Sequence, residues 1–298
     1  MCGIVGLFIK DPALEPDLGR HLASMMTVLS DRGPDSAGFA VYGAGAADGV
    51  KLTLRAPAGF DFAKLMASLR ERVHGQVDLK VIGTHAVLSI ATADEAAIRQ
   101  SIAAMPDIAF VGAGTRMELY KEVGLPAEVA RCFALDRMSG THGIAHTRMA
   151  TESAVTTDGA HPFSTGLDQC LVHNGSLSNH NAVRRELKRE GLTFATDNDS
   201  EVAAGYLTWR MRQGASLDQA LEHALDDLDG FYTFVVGTES GFGVLRDPIA
   251  CKPAVMAETD RYVAFGSEYR ALVDLPDIER ARVWEPEPAK VYFWERPA

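Results

Sequence analysis

Cys2 follows Met1 directly in the stretch MCGIVG at residues 1–6, and this position suits a nucleophile. A residue as small as cysteine at the second position permits removal of Met1, after which Cys2 would carry both a thiol and a free α-amine. The thiolate is a strong nucleophile, and an N-terminal nucleophile can use its own amine as the base, since the ordinary pKa of that amine is roughly 7.7–8.0. The alternative interpretation is a buried structural cysteine at the start of a first strand.

Two later polar clusters offer groups that bind negative charge. The stretch HTRMAT at residues 146–151 contains Arg148, whose planar guanidinium suits a carboxylate. The stretch HNG at residues 173–175 contains the Asn174 amide and the Gly175 backbone N–H, which together can form an oxyanion hole. Alternatives stay open for both stretches, because Asn-Gly is also a good hairpin turn and the histidine that begins the first stretch could be structural.

Two further clusters could support these groups. The stretch RGPDSAG at residues 32–38 combines glycine and proline in a tight turn, and Arg32 could point toward a neighbouring carbonyl. The stretch DNDSE at residues 197–201 puts carboxylates just before a helix, where one of them could receive a substrate ammonium. The simpler interpretation is that Arg32 caps a turn and that the aspartates cap the helix.

Predicted strands and helices flank the clusters and would position them. Apolar β-prone runs predict strands at 3–9, 39–42, 143–148, 170–175, 231–237, 241–246, 254–257 and 262–266. Helical spacing and cap residues predict helices at 17–30, 178–190, 201–212 and 216–228. The clusters therefore fall at the ends of strands or at the starts of helices.

Residues 50–135 separate the early clusters from the later ones and look like an inserted α+β subdomain. Their predicted order of elements, β-α-β-β-α-β, is that of a ferredoxin-like split βαβ unit. We expect a single domain over residues 2–298 that this subdomain interrupts. The role of the insert stays open between a docking surface, a small-ligand regulatory module and a passive decoration.

Composition narrows the class of protein. The formal net charge of −11 argues against nucleic acid and against an anionic membrane surface as partners. The four cysteines form no C-x-x-C pair, so we expect no metal site in the chain. No apolar run reaches the length of a membrane helix and the N-terminus lacks a signal peptide, so we expect a cytoplasmic protein.

Taken together and in this order, the clusters resemble the class II glutamine amidotransferases. The resemblance is carried by five stretches: CGIVG from Cys2, RGPDSAG from Arg32, HTR from His146, HNG from His173 and DSE from Asp199. Later pieces agree, namely GFY at 230–232, RDP at 246–248, KP at 252–253 and SE at 267–268. The resemblance implies an N-terminal nucleophile hydrolase fold, which is an α+β four-layer α-β-β-α sandwich, and hydrolysis of the glutamine side-chain amide.

The resemblance also implies a role for each residue. Cys2 would be the nucleophile, with Asn174 and Gly175 holding the oxyanion. The substrate-binding residues would be Arg148 for the α-carboxylate, Asp199 for the α-ammonium, and Thr151. Supporting roles would fall to Arg32, which helps to position the N-terminal residue, and to His146.

No acceptor domain for ammonia is recognisable in the sequence, so we expect a separate synthase subunit and a hetero-oligomer. The arrangement is similar to glutamate-synthase-like systems, in particular to the amidotransferase-like subunit of N-methylglutamate synthase. There the chain itself would carry no cofactor, and flavin and iron–sulfur chemistry would reside in the partner. The alternatives are a stand-alone γ-glutamyl amide hydrolase and a non-catalytic regulatory or scaffold subunit.

Overall fold

The computed structural model describes residues 2–45, 48–73, 75–150 and 154–296. Its strands are β1 Gly3–Ile9, β2 Ser36–Tyr42, β3 Gly49–Arg55, β4 Asp78–Ile82, β5 His85–Ala91, β6 Ala109–Gly114, β7 Met117–Val123, β8 His142–Arg148, β9 Phe163–Gly166, β10 Gln169–Leu177, β11 Gly230–Gly237, β12 Gly241–Arg246, β13 Val255–Glu258, β14 Tyr262–Gly266, β15 Arg282–Trp284 and β16 Val291–Glu295. Its α-helices are α1 Leu18–Val28, α2 Phe62–Arg70, α3 Glu95–Ala103, α4 Pro126–Cys132, α5 His180–Arg189, α6 Asp199–Arg212 and α7 Leu217–Asp227.

Two antiparallel sheets carry the predicted site. The larger has the strand order β15-β13-β14-β1-β8-β2-β7, so that β1 lies between β14 and β8. The smaller has the order β16-β12-β11-β10-β9. These pairings confirm the strands predicted at 3–9, 143–148 and 170–175, and they assign the first two to one sheet and the third to the other.

The alternation of side chains along β1 shows how the sheets are covered. Ile4 and Phe8 pack in one apolar cluster with Val172 of the five-stranded sheet, so this face of β1 is turned toward that sheet. Val5 and Leu7 belong to a second cluster that includes the buried face of α1. Because both faces of the strand are buried, β1 is a nearly continuous apolar run.

Helices cover the other face of the five-stranded sheet as well. Residues of α6 and α7 form a third apolar cluster with Leu171 and Phe234. Two helix starts are fixed by side chains that satisfy free backbone N–H groups: Asn198 accepts from the N–H of Ser200 at 2.9 Å, and Ser216 and Gln219 form a capping box. Among the described residues, no helix combines the length and apolar character that crossing a membrane requires.

A third sheet has the order β4-β5-β3-β6 and packs α2 and α3 against its own apolar core. It spans residues 49–114, whereas the range predicted as an insert runs from 50 to 135. β7 instead pairs along its whole length with β2 in the seven-stranded sheet, and α4 packs in the same cluster as α1. β7 was not predicted from the sequence, because the charged residues Glu118, Lys121 and Glu122 obscure the alternation of polar and apolar side chains that marks a strand. The four-stranded sheet and its two helices therefore span residues 49–114, and residues 117–132 belong with the larger sheet.

Candidate functional site

The register of β1 places Cys2 beside Arg148. Gly3 pairs with Thr147, so the next position brings Cys2 opposite the last residue of β8. Cys2 shares the parity of Ile4 and therefore faces the five-stranded sheet. Side chains opposite each other on antiparallel strands have Cβ atoms about 4.5–5.5 Å apart. The half-buried Cys2 thiol lies 3.8 Å from the Met149 carbonyl oxygen.

The backbone carbonyl of Cys2 is held by two side chains. Arg32 Nε donates to it at 3.1 Å, and Asn174 Nδ2 donates to it at 3.2 Å. Arg32 is fixed in turn by an ion pair with Glu268. The strand is pinned two residues further on, where the Ile4 N–H donates to Ser267 Oγ at 2.9 Å. The first residues of β1 are thus fixed from both sheets before any substrate is present.

Gly33 lets the Arg32 turn approach β8. A Cβ at this position would lie 2.3 Å from the carbonyl carbon of Thr147 and 2.5 Å from the backbone nitrogen of Arg148. Real Cβ atoms do not come so close to backbone, so this turn requires glycine. The Gly-Pro of the sequence therefore serves to bring the Arg32 side chain to the Cys2 carbonyl.

Asn174 and Gly175 lie within β10, which excludes the hairpin turn that the sequence left open. Asn174 has the parity of Val172 and faces the seven-stranded sheet. Gly175 has a φ of +153°, and a Cβ there would lie 2.0 Å from the Phe231 carbonyl oxygen. An amide nitrogen carries two N–H groups, so Asn174 can donate to the Cys2 carbonyl and still donate to a substrate oxyanion.

Arg148 ends β8 with a buried side chain, 5% exposed, on the face turned toward the five-stranded sheet. Its Nη1 donates to the Ala154 carbonyl at 3.4 Å, and its own carbonyl accepts from the Asp35 N–H at 3.1 Å. Asp35 also accepts from the Ala150 N–H at 2.8 Å. Thr151, the third predicted substrate-binding residue, lies outside the described residues.

Asp199 is the first residue of α6 and joins that helix to the end of β10. Its Oδ2 accepts from the Leu177 N–H at 2.9 Å, and its Oδ1 accepts from Ser200 Oγ at 3.3 Å. An ionised carboxylate has about four acceptor positions, so capacity remains for an ammonium group. Leu177 is three residues beyond Asn174, about 10 Å along the strand. The carboxylate therefore lies at the far end of the site from Cys2.

His146 lies between the two sheets and donates from Nε2 to the His173 carbonyl at 3.0 Å. A carbonyl oxygen can only accept, so this contact assigns the proton to Nε2. Burial lowers the pKa of His146 to about 3, so the ring is neutral at pH 7. It also stacks on His161 with ring centres 4.0 Å apart. These contacts suit a residue that positions β10 rather than one that transfers protons.

The structure also identifies residues whose roles the sequence reasoning missed. Glu268 and Ser267 hold Arg32 and β1, and their signal was a polar pair placed directly after the apolar run at 262–266. No feature of the sequence pointed to a role for Lys121. Its buried Nζ donates to the carbonyls of Asp158 and Ala160 at 3.1 and 2.9 Å, and burial lowers its pKa to about 8.

Taken together, the described residues gather a thiol, a buried guanidinium and a side-chain amide near the start of β1 and the ends of β8 and β10. Such a set can attack a carbonyl carbon, bind a carboxylate and stabilise an oxyanion. No group of three or more His, Cys, Asp or Glu side chains in the described ranges is arranged to hold a metal ion.

Comparison with known proteins gives relatives along the whole chain. Residues 146–274 match the family model described as a glutamine amidotransferase domain. The chain is 65% identical to the glutamine amidotransferase-like protein GlxB of Rhizobium meliloti, over 99% of this chain and 98% of the relative. It is 32% identical to a putative glutamine amidotransferase of Methanothermobacter thermautotrophicus, over 98% and 99% of the two chains.

The fold is also similar to a solved structure. A glutamine phosphoribosylpyrophosphate amidotransferase from B. subtilis, complexed with ADP and GMP, superposes with a TM-score of 0.62 at 19% sequence identity. The match covers 99% of this chain and 47% of that one, so this chain spans about half the length of the solved relative. At this identity the comparison shows the fold alone.

Proposed function

The chain belongs to the glutamine amidotransferase family and is related to its class II, N-terminal nucleophile enzymes, and on this premise we propose that it hydrolyses the side-chain amide of glutamine to glutamate and ammonia through Cys2. The observation that carries the proposal is the 3.2 Å hydrogen bond from Asn174 to the Cys2 carbonyl. It brings an oxyanion donor of one sheet to the thiol-bearing residue of the other.

The reaction would begin after removal of Met1. The Cys2 α-amine takes the thiol proton while Sγ attacks the amide carbon of glutamine. The second N–H of Asn174 and the backbone N–H of Gly175 stabilise the negative oxygen that forms. Collapse breaks the C–N bond, the α-ammonium protonates the leaving nitrogen, and ammonia departs. Water, activated by the same amine, then hydrolyses the γ-glutamyl thioester to glutamate.

The two α-groups of glutamine would be bound at separate places. Arg148 receives the α-carboxylate, because a buried guanidinium forms a strong paired contact with it. Asp199 receives the α-ammonium, and Thr151 is the third residue that we propose to bind the substrate. Arg32 and His146 would position the nucleophile and β10 without contacting glutamine.

Release of glutamate by the purified protein tests this function. Cys2→Ala should abolish turnover, since neither the base nor an oxyanion donor can replace the thiol. Cys132→Ala is the matched control, because Cys132 is an exposed free cysteine at the end of α4. Turnover that persists in Cys2→Ala would refute the mechanism, and full turnover without any partner would favour a stand-alone hydrolase.

The acceptor of ammonia is the second part of the proposal. We propose that a separate synthase subunit consumes the ammonia in a hetero-oligomer, and that the closest functional parallel is the amidotransferase-like subunit of N-methylglutamate synthase. Flavin and iron–sulfur chemistry would belong to that partner. Co-purification from the native source tests this assignment, with a flavin spectrum in the complex as the expected result and an isolated chain as the contrary one.

We propose the same family architecture for the fold. The three apolar clusters support a four-layer arrangement. Helices α1 and α4 form the first layer, the seven-stranded and five-stranded sheets form the second and third, and α6 and α7 form the fourth. The strand order β4-β5-β3-β6 supports a ferredoxin-like unit inserted at residues 49–114. An experimental structure of the protein would test both assignments.

A further inference from the structure

The segment 154–160 packs beside the guanidinium that would bind the glutamine carboxylate. The Ala154 carbonyl accepts a hydrogen bond from Arg148 at 3.4 Å. At the other end of the segment, the Asp158 and Ala160 carbonyls accept from the buried Lys121 of the seven-stranded sheet. The position of this segment therefore bears on where the Arg148 side chain lies.

The unit 49–114 contacts the same segment directly through Arg55, the last residue of β3. Arg55 Nη2 lies 2.6 Å from Asp158 Oδ1. The Arg55 side chain is only 22% exposed, whereas that of Asp158 is 56% exposed. The ion pair thus fixes an exposed loop carboxylate to a half-buried arginine that is held by a strand.

A second contact connects the unit 49–114 to the segment through one intermediate residue. Thr84, in the turn between β4 and β5, donates to Glu122 Oε2 at 2.9 Å. The other oxygen of Glu122 accepts from Thr157 Oγ1 at 2.5 Å. Two strand ends of the unit therefore converge on neighbouring residues, 157 and 158, of the same short segment.

We propose that Arg55 is a positioning residue for glutamine binding, through which the unit 49–114 holds the segment 154–160 in the place that Arg148 requires. The inference rests on the proposed function and gives the unit a role in setting affinity for glutamine. Arg55 does not contact the reacting atoms, so its loss acts on binding and leaves the chemical step intact. A partner that moved the unit would change glutamine affinity by the same route.

Steady-state kinetics of Arg55→Gln and Asp158→Asn test the proposal. A partly exposed ion pair changes an equilibrium constant by a few-fold. Each substitution should therefore raise KM for glutamine by about three- to five-fold. The value of kcat should stay within about two-fold of the parent. A contact that stabilises bound substrate and transition state equally affects KM and leaves kcat unchanged. The KM of the double variant should be no higher than that of either single variant, because each substitution removes the same ion pair.

Two controls separate positioning from general damage. Arg55→Lys keeps a cation within reach of Asp158 and should retain most of the parental KM. Arg99→Gln removes a comparable ion pair in the same unit, Arg99 to Glu95 at 2.7 Å on α3, and should leave KM unchanged. Equal KM values in Arg55→Gln and Arg99→Gln would overturn the proposal.

Amide hydrogen exchange gives a readout that does not depend on activity. Residues 154–160 should exchange faster in Arg55→Gln than in the parent and in Arg99→Gln. Unchanged exchange would refute the positioning role even if the protein is a glutaminase. Faster exchange in a protein that does not hydrolyse glutamine would support the contact while removing the proposed function, so the two failures are distinguishable.

Discussion

Cys2 is fixed by its carbonyl group. Arg32 and Asn174 both donate to that oxygen, and Glu268 anchors Arg32. The residue types at these positions were readable from the sequence, because arginine, asparagine and a small nucleophile stand in recognisable stretches. The convergence of two of them on one carbonyl was not readable, since it depends on two sheets that meet only in the folded chain.

Replacement of Arg32 tests the positioning of Cys2. Arg32→Lys provides a charge but no planar fork that can reach both the Cys2 carbonyl and Glu268. We expect kcat for glutamine hydrolysis to fall about 10- to 100-fold, because small displacements of a reacting group are costly, while KM changes less. An unchanged kcat would show that the Cys2 carbonyl needs no such support.

Replacement of Gly175 tests β10, the strand that carries the proposed oxyanion donors. Gly175→Ala places a Cβ against the Phe231 carbonyl in a backbone conformation that alanine rarely adopts. We expect a loss of about 1–3 kcal/mol in the free energy of unfolding and a strong loss of turnover, measured by urea unfolding and by glutamate release. Gly214→Ala is the control, because Gly214 also has positive φ but faces open space. It should lose less stability and keep activity.

At the scale of elements, sequence patterns located the strands that carry the site. β1, β8 and β10 were predicted because apolar runs of the right length end in polar groups. β7 was not predicted, because charged residues lie on both of its faces and no alternation of polar and apolar side chains is visible. Glu118 makes ion pairs with two lysines, and the buried Lys121 donates to two backbone carbonyls. These partners are distant in sequence. Because β7 pairs with β2 in the larger sheet, the four-stranded sheet ends at residue 114 and not near residue 135.

At the start of α6, a helix cap lies next to Asp199, the residue that we propose to bind the glutamine ammonium. Asn198→Ala removes the cap that accepts from the Ser200 N–H, so we expect a loss of about 0.5–2 kcal/mol in the free energy of unfolding. Because Asp199 follows directly, KM for glutamine should rise more than kcat falls. The comparison is Ser216→Ala at the cap of α7, which should cost similar stability but leave KM unchanged.

At the scale of the whole molecule, several histidines are buried in neutral form. Burial lowers the pKa of His142 and of His146 to about 3, and that of His85 to about 4. In the unfolded chain a histidine titrates near pH 6.5. Below that pH the unfolded chain binds protons that the folded chain does not, so the free energy of unfolding falls as the pH is lowered.

Urea unfolding at pH 7, 6 and 5 measures this dependence. Each buried ring should contribute a slope of up to about 1.4 kcal/mol per pH unit below pH 6.5. His142→Gln should therefore flatten the dependence by about that amount, whereas His223→Gln, at an exposed position, should not. A parental protein equally stable at pH 7 and pH 5 would contradict the burial of neutral imidazoles.

The contact of Arg55 with Asp158 shows the limit of sequence reasoning at this scale. The two residues are 103 positions apart, with Arg55 at the end of β3 and Asp158 in the loop between β8 and β9, so no local sequence pattern could pair them. The sequence left the insert with several alternative roles. The contact of Arg55 with the segment beside Arg148 underlies a role that was not among those alternatives, namely the proposed positioning of that segment.

The most direct test of the central claim is a mass measurement on the natively expressed protein after reaction with an electrophilic analogue of glutamine. We predict that Met1 is absent and that peptide mapping finds one analogue adduct, on Cys2, with formation of the adduct prevented by excess glutamine. Retention of Met1, or an adduct on Cys132, Cys170 or Cys251 with Cys2 unmodified, would contradict the account.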